Sequence, residues 1–444
     1  MIYYGLLAFF ALEYIRPGSY LPALNALHLN TLVPALICAK TFLGEAPVTT
    51  QDALADKNTK RIGTLIALIL LSVLTADVTE YAYNKFIAVI GYVLVFWVIN
   101  KQIVDIRQLK GIFKALVLVH VVIGALTPEM FTSGQRTYIA SGSFLGDGND
   151  FALSVNIAVP MCLFLLTNET KKRQKLFWGA ALLFLVFAIV ATQSRGGTLA
   201  LVAVGLYYWA KSNRKGITAL MGLLAIAVVF ALAPSGYFER MHNVANTEEG
   251  SAQGRIQAWS AGLRMAADHP LLGVGAGHFF MVYGSRYGKE GAPWQNAHSI
   301  YFQILAELGI PGILTLLWCI FGNLLENRKV LHEIRARDPD GSVLTAQLLA
   351  STSAAMIAFA AGGAFLSAVY YPHIFMVAAV MTASRRIALR QAEHAAGATA
   401  PVPAASHITI HPALRRRPKL AMGETSENKT AGGRRPGGGA LKPV

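Results

Sequence analysis

The chain has 444 residues, of which 54% are hydrophobic and only 14% charged. A soluble domain carries about 25% charged residues, so this composition, with a mean hydropathy of +0.45, excludes an ordinary soluble enzyme and points to a membrane protein. The formal net charge of +15 is gathered into clusters, and the three cysteines, Cys38, Cys162 and Cys319, lie singly in apolar runs, implying neither a disulfide framework nor a metal site.

Apolar runs follow one another along roughly the first 385 residues, each near the ~20 residues a helix needs to cross the hydrocarbon core. In chain order they fall near 2–15, 25–44, 62–77, 84–100, 112–127, 150–167, 175–193, 197–211, 217–234, 300–325, 343–366 and 370–384, which predicts about twelve transmembrane helices. The first run is followed by Arg16-Pro17-Gly18 rather than a small-residue cleavage site, so it reads as a span and not as a cleavable leader. Basic clusters occupy every second connection: Lys57/Lys60/Arg61, Lys101/Arg107/Lys110, Lys171/Lys172/Arg173/Lys175, Lys211/Arg214/Lys215, Arg328/Lys329/Arg335/Arg337 and Arg385/Arg386. The positive-inside rule assigns them to the cytoplasm, with both termini inside. The expected architecture is an all-α, polytopic integral membrane protein: a transmembrane domain over 1–390 with a large helical periplasmic loop over 235–299, then a disordered basic cytoplasmic tail over 391–444. The tail's basic runs read as solvated or lipid-headgroup-binding, with no nucleic-acid role.

The outer face then holds two large loops, about 128–149 and 235–299, and the second is too long for a mere connector. Arg195 lies outside in QSRGG, a short turn between the seventh and eighth spans, followed by two glycines that permit close approach. After Ser251 the spacing of Ile256, Trp259, Leu263 and Ala266 or Ala267 predicts an amphipathic helix. Arg255 and Trp259, four residues apart, share a face of it, while Arg264 points away as a solvated or salt-bridged residue. His298 starts the tenth run at its outer end.

Arginine's planar fork fits phosphate oxygens bidentately. Two arginines and a histidine at the outer leaflet suit a phosphorylated substrate there. No nucleotide donor is available outside, so the substrate must arrive preloaded, and a sugar on a lipid diphosphate is such a donor. Its diphosphate leaves readily if its charge is stabilised, which Arg195 and Arg255 can do. The acceptor hydroxyl must lose a proton, which suits a histidine near its ordinary value of ~6.5, held neutral by neighbouring positive charge. The chemistry calls for one base and a cationic cradle, with no metal and no cofactor.

Other signals are set aside. GVGAG at 273–277 lacks the spacing and the preceding strand of a dinucleotide loop and reads as a flexible turn. Asp338-Pro-Asp340 reads as a solvated cytoplasmic turn, and no outer histidine pair has zinc-ligand spacing. Glu13, Lys40 and Glu307 lie in or beside apolar runs, where charge is a functional hypothesis by default. Glu307 is expected to orient the His298 helix by hydrogen bonding, and His278 to be structural. Tyr283, Arg286, Lys289 and Trp294 are loop positions able to meet an acceptor.

HSIYFQILAELGIPG, from His298 onward, resembles the signature of the O-antigen ligase and O-antigen polymerase superfamily. QSRGG, the Arg255-x-x-x-Trp259 pair followed by HPLLGVGAGHF, and GDGNDFAL around Asn149 resemble three further blocks, in the same order over most of residues 1–385. EYIRPG at the start looks like the branch of exosortase-associated O-glycosylation ligases. The Asn149 block departs in lacking the proline that often precedes the asparagine, and the basic tail has no counterpart. The resemblance implies a bacterial inner-membrane glycosyltransferase with its active site facing the periplasm and Arg195, Arg255 and His298 as functional residues. Trp259, Asn149 and Asn296 complete the expected substrate contacts. The implied activity is that of an O-antigen ligase in lipopolysaccharide biosynthesis. It passes glycan from undecaprenyl diphosphate to lipid A–core, independent of metal and with inversion. The same motifs serve an O-antigen polymerase or a protein O-oligosaccharyltransferase acting on a protein hydroxyl. A lipid or polysaccharide transporter is a more distant reading, for which no inverted repeat is evident.

Overall fold

The computed structural model describes residues 1–132, 139, 143–232, 252–289, 293–337 and 343–399. The Asp338-Pro-Asp340 turn, the chain beyond Thr399, residues 233–251 and most of 133–142 lie outside the described residues. Among those described, the chain is helical, with no strand. The long helices are α1 (Ile2–Ile15), α2 (Leu29–Leu43), α3 (Lys57–Leu71), α4 (Thr79–Gln102), α5 (Ile106–Ala125), α6 (Gly148–Thr167) and α7 (Lys172–Ala191). They continue with α8 (Arg195–Lys211), α9 (Lys215–Leu232), α10 (Ala252–Asp268), α11 (Ile300–Arg337), α12 (Val343–Gly363) and α13 (Pro372–Thr399).

Seven described stretches are long and apolar enough to cross a membrane: Pro22–Leu43, α4, α5, α6, α7, α11 and α12. The chain is an all-α, multi-pass membrane protein. The apolar runs near 2–15, 62–77 and 197–211 are helical too, at 14, 15 and 17 residues. Helix α13 continues past residue 390 to Thr399, into the stretch expected as tail. Side-chain caps start several helices as their sequences dictate. Asp56 accepts from the Asn58 amide at 2.9 Å and Asp105 from the Arg107 amide at 2.6 Å. Each satisfies an amide that has no partner within its helix.

The centre of the bundle is α6, buried along nearly its whole length among α5, α7, α8 and α12. A helix apolar all round has no solvent face to keep, so it goes inside. Small residues set the closest approaches, as they do between membrane helices. A Cβ on Gly197 of α8 would lie 2.6 Å from Ala152 of α6, and one on Gly362 of α12 would lie 2.7 Å from Leu153. Far from His298 along α11, a buried polar network ties α3, α11 and α13. Arg61 donates to both Glu326 oxygens at 2.7 and 3.2 Å, and Arg385 donates to Asn323 and Asn327 at 3.0 Å each. Asn58 and Asn323 exchange amide hydrogen bonds at 2.7 and 2.8 Å. Charges taken out of water are held this way, paired and hydrogen-bonded.

Candidate functional site

Helix α11 is broken near its start. Gly309 takes φ 68° and ψ −164°, and Pro311 follows. Pro311 has no N–H to give the Glu307 carbonyl four residues back. That carbonyl instead accepts from the Gly275 amide at 3.1 Å, while the Ala306 carbonyl accepts from Val274 at 2.9 Å. The Ile310 amide, freed by the break, donates to the Pro270 carbonyl at 2.8 Å. The break thus clamps the 270–279 loop along α11. Gly273, Gly275 and Gly277 all have positive φ, and a Cβ would run into the Glu307 backbone at Gly273, into Ala76 at Gly275 and against Lys85 and Tyr81 at Gly277. GVGAG is therefore a fixed element rather than the flexible turn expected from the sequence, because its amides replace bonds that α11 cannot make.

Glu307 completes the clamp from its side chain. Its two oxygens accept from the Gly277 and Phe279 amides at 3.0 Å each. His278 is fully buried, and its Nε2 accepts from the Val78 amide at 3.2 Å, leaving Nδ1 to donate to the Ala276 carbonyl at 3.1 Å. Both are structural groups of the loop.

Helix α10 packs on this assembly, but not by the face expected. Ile256 and Leu263 are 62% and 53% exposed, while Ala258, Ala261 and Met265 are buried. The reason is proximity. A Cβ on Gly254 would lie 2.8 Å from the Gln295 side chain, and one on Gly262 would lie 3.2 Å from the Phe279 ring and 3.4 Å from the Phe302 carbonyl. A helix that approaches this closely does so on its smallest residues. Trp259 lies on the flank of the buried stripe. Its Nε1 donates to the Ala297 carbonyl at 2.9 Å, and its ring stacks on Phe302 at 5.0 Å and 9°. Arg255, one turn earlier on that flank, is half-buried. Arg264 is exposed and donates to the Tyr287 carbonyl at 2.6 Å and to Ser260 at 3.2 Å, so it braces the outer loop away from Trp259. Burial and the 2.6 Å bond its hydroxyl donates to Asp268 push the neighbouring Tyr287 phenol up to about 12.

His298 directly follows Ala297 and precedes α11 by one residue. It is half-buried with φ 46°, and its amide donates to the Ser367 hydroxyl at 2.9 Å. Arg195 is the first residue of α8. Ser194 caps that helix by accepting from the Gly197 amide at 3.0 Å. A cation at the positive end of a helix is disfavoured by about 0.3–1 kcal/mol, so helix stability does not explain this arginine. The two glycines after it serve packing. Gly196 lies against Phe365 and Gly197 against Ala152, and the Gly197 carbonyl accepts from Asn156 at 3.0 Å.

The segment joining α12 to α13, residues 364–371, links these parts. Phe365 lies against the Arg195 turn, Ser367 holds the His298 amide, and Tyr371 lies beside Asp147 and Asp150 at the start of α6. Asn149 sits there too, half-buried, its amide bonded to the Asp147 cap at 3.1 Å, while Gly148 abuts Thr192 of the Arg195 turn. The structure therefore gathers the segments bearing Arg195, His298 and Asn149 around one loop, and Trp259 attaches the Arg255 helix next to His298. Asn296 is exposed one residue before Ala297.

Of the expected acceptor-contact positions, Tyr283 is buried and accepts from Gln295 at 3.1 Å, and Arg286 pairs with Asp77 at 3.0 Å. Trp294 is half-exposed against Phe280, and Lys289 is exposed. Among the described residues, no cluster of His, Cys, Asp or Glu has metal-ligand geometry. Sequence reasoning missed Ser367 and Tyr371. A serine in an apolar stretch carries no signal of its own, whereas Tyr370-Tyr371-Pro372 at a helix start marks an interface.

Residues 180–317 match a family model described as O-antigen ligase, a span that includes Arg195, Arg255, Trp259, Asn296 and His298 but neither Asn149 nor Ser367. No curated protein matches the chain.

Proposed function

We propose, from the O-antigen ligase family model that residues 180–317 match, that this chain is a member of the O-antigen ligase and polymerase superfamily and acts as an O-antigen ligase. In this reading it takes O-antigen polysaccharide from undecaprenyl diphosphate and joins it to lipid A–core at the periplasmic face of the inner membrane. The observation that carries the reading is the convergence on one loop. The Arg195 turn and His298 both rest on residues 364–371, and Trp259 fastens the Arg255 helix to the residue before His298.

The acceptor hydroxyl attacks the anomeric carbon of the carrier-linked sugar. A glycosidic C–O bond forms, and the bond from that carbon to the diphosphate oxygen breaks. In-line attack inverts the anomeric configuration. The proton passes to the ring of His298, and the electron pair leaves with the diphosphate. Arg195 and Arg255 grip the diphosphate oxygens and stabilise the charge that grows on them, so the step needs no metal. Trp259, Asn149 and Asn296 supply contacts to donor and acceptor.

The test is transfer by the purified protein from undecaprenyl-diphosphate-linked glycan to lipid A–core. His298→Ala should cut turnover about 10²–10⁴-fold while donor binding persists. His298→Asn keeps a polar side chain but cannot act as a base, and should fail as well. Near-normal turnover by His298→Asn would remove the base assignment. If purified wild type extends carrier-linked chains or modifies a protein hydroxyl instead, the acceptor assignment falls and the polymerase or protein-ligase reading replaces it.

A further inference from the structure

Ser367 lies outside the matched segment, in a stretch that reads as plain apolar chain, yet its hydroxyl meets the backbone of the proposed base. The His298 amide donates to Ser367 Oγ at 2.9 Å. His298 also holds φ 46°, one of four non-glycine residues with positive φ among those described. A residue with a Cβ resists that region, and it persists there only where surrounding contacts over-determine it. At His298 those contacts lie on both sides. Ala297 before it is fastened through its carbonyl to Trp259, and Ser299 after it is buried, with its carbonyl accepting from Gln303 as α11 begins. The amide between these two fixed points precedes the helix and has no helical acceptor, so Ser367 supplies one.

We infer that Ser367 is a positioning residue for transfer: its hydroxyl fixes the left-handed turn at His298 and so sets where the imidazole sits. The inference rests on the reading of His298 as the general base. The same loop sets the Arg195 turn through Phe365, two residues before Ser367. One segment thereby registers base and cation against each other. Ser367 touches the backbone of His298, so its role lies in the placement of the ring and not in exchange of the proton.

The test uses the full-length protein in lipid nanodiscs, with transfer measured at saturating donor and acceptor. Misplacing a reacting group by about 1 Å costs up to ~10²-fold. Ser367→Ala should therefore lower kcat roughly 10- to 100-fold and leave KM for the lipid-linked donor unchanged. Ser367→Cys keeps the volume but accepts hydrogen bonds weakly and should behave like Ser367→Ala, which separates a lost bond from a packing defect. Ser367→Thr retains the hydroxyl and should recover most of the rate. In a double-mutant cycle, Ser367→Ala should slow the His298→Ala protein no further, because its effect passes through the histidine. Wild-type kcat in both Ser367→Ala and Ser367→Cys, or an equal further loss in the His298→Ala background, would overturn the inference. Full transfer by His298→Ala would instead overturn the base reading itself, whatever the Ser367 variants do.

Discussion

Glu307 offers a direct measure of how firmly the 270–279 loop is held. Its carboxylate accepts from two backbone amides, Gly277 and Phe279, at 3.0 Å each, and its side chain is buried. Glu307→Ala leaves both donors without partners, and at about 1–3 kcal/mol for each buried orphan the cost is roughly 2–6 kcal/mol. Glu307→Gln keeps one acceptor oxygen and turns an NH₂ toward the other amide, so about half that loss is expected. The backbone bonds of Val274 and Gly275 to the Ala306 and Glu307 carbonyls survive both changes. Damage should therefore concentrate at 277–279. Phe279 packs against Gly262 of α10, so loosening it also loosens the helix that carries Arg255. Thermal unfolding in detergent, paired with amide hydrogen exchange resolved at 277 and 279, is the assay. Unchanged melting and unchanged protection in Glu307→Ala would refute the clamp.

Four further outcomes are expected. Arg195→Lys and Arg255→Lys lose the bidentate fork; one charged hydrogen bond, about 1.5–3 kcal/mol, corresponds to a roughly 10- to 100-fold fall in kcat/KM. Arg264→Ala should transfer normally, since Arg264 braces Tyr287 and Ser260 away from Trp259, and the opposite ranking would mean that the roles of Arg255 and Arg264 are exchanged. Transfer by purified protein should survive EDTA; loss restored by magnesium or manganese would hand to a cation the charge stabilisation attributed to the arginines. A cysteine placed at Lys289 should react with a membrane-impermeant reagent from the periplasm and one at Lys172 from the cytoplasm, and labelling of position 289 from the cytoplasm alone would invert the topology and with it the mechanism.

The helical bundle was legible because the bilayer leaves the chain few choices. A backbone in hydrocarbon must satisfy its own hydrogen bonds, so each apolar run announces a helix, and the runs at 84–100, 112–127, 150–167, 175–193 and 343–366 all appear as helices of 20 residues or more. Arg195 and His298 drew attention as titratable groups at the ends of apolar runs, and Arg255 as a cation sharing a helix face with Trp259; the structure brings the segments that carry them together. The face of α10 was misread in part: Trp259 meets Ala297 and Phe302, but the rest of the packing against 295–302 and the loop is made by Gly254, Ala258, Ala261 and Gly262 in place of large apolar residues. Ile256 and Leu263 are left outward. Ser367 was invisible for a different reason. Its significance is a long-range bond to residue 298, 69 positions away, and no local pattern encodes such a pairing.

The stretch from His298 to Pro311 joins the histidine proposed as the base to a helix break in one motif. His298 stands at the entry to α11, and Glu307, Gly309 and Pro311 sit two to four turns further on. The break exposes two carbonyls and the carboxylate clamps two amides, and together they fix the loop whose Phe279 supports α10. Trp259 then returns from α10 to Ala297, the residue before His298. The path closes on itself: α11 to loop, loop to α10, α10 to the start of α11. A closed path of this kind sets the Arg255 helix relative to His298 through short, bonded steps and not through the long loop preceding α10. The interval between His298 and the break is then a length in the structure, about 1.5 Å for each residue, as well as a pattern in the sequence. Gly309 and Pro311 determine where that length ends, because the break they make is where the 270–279 loop docks.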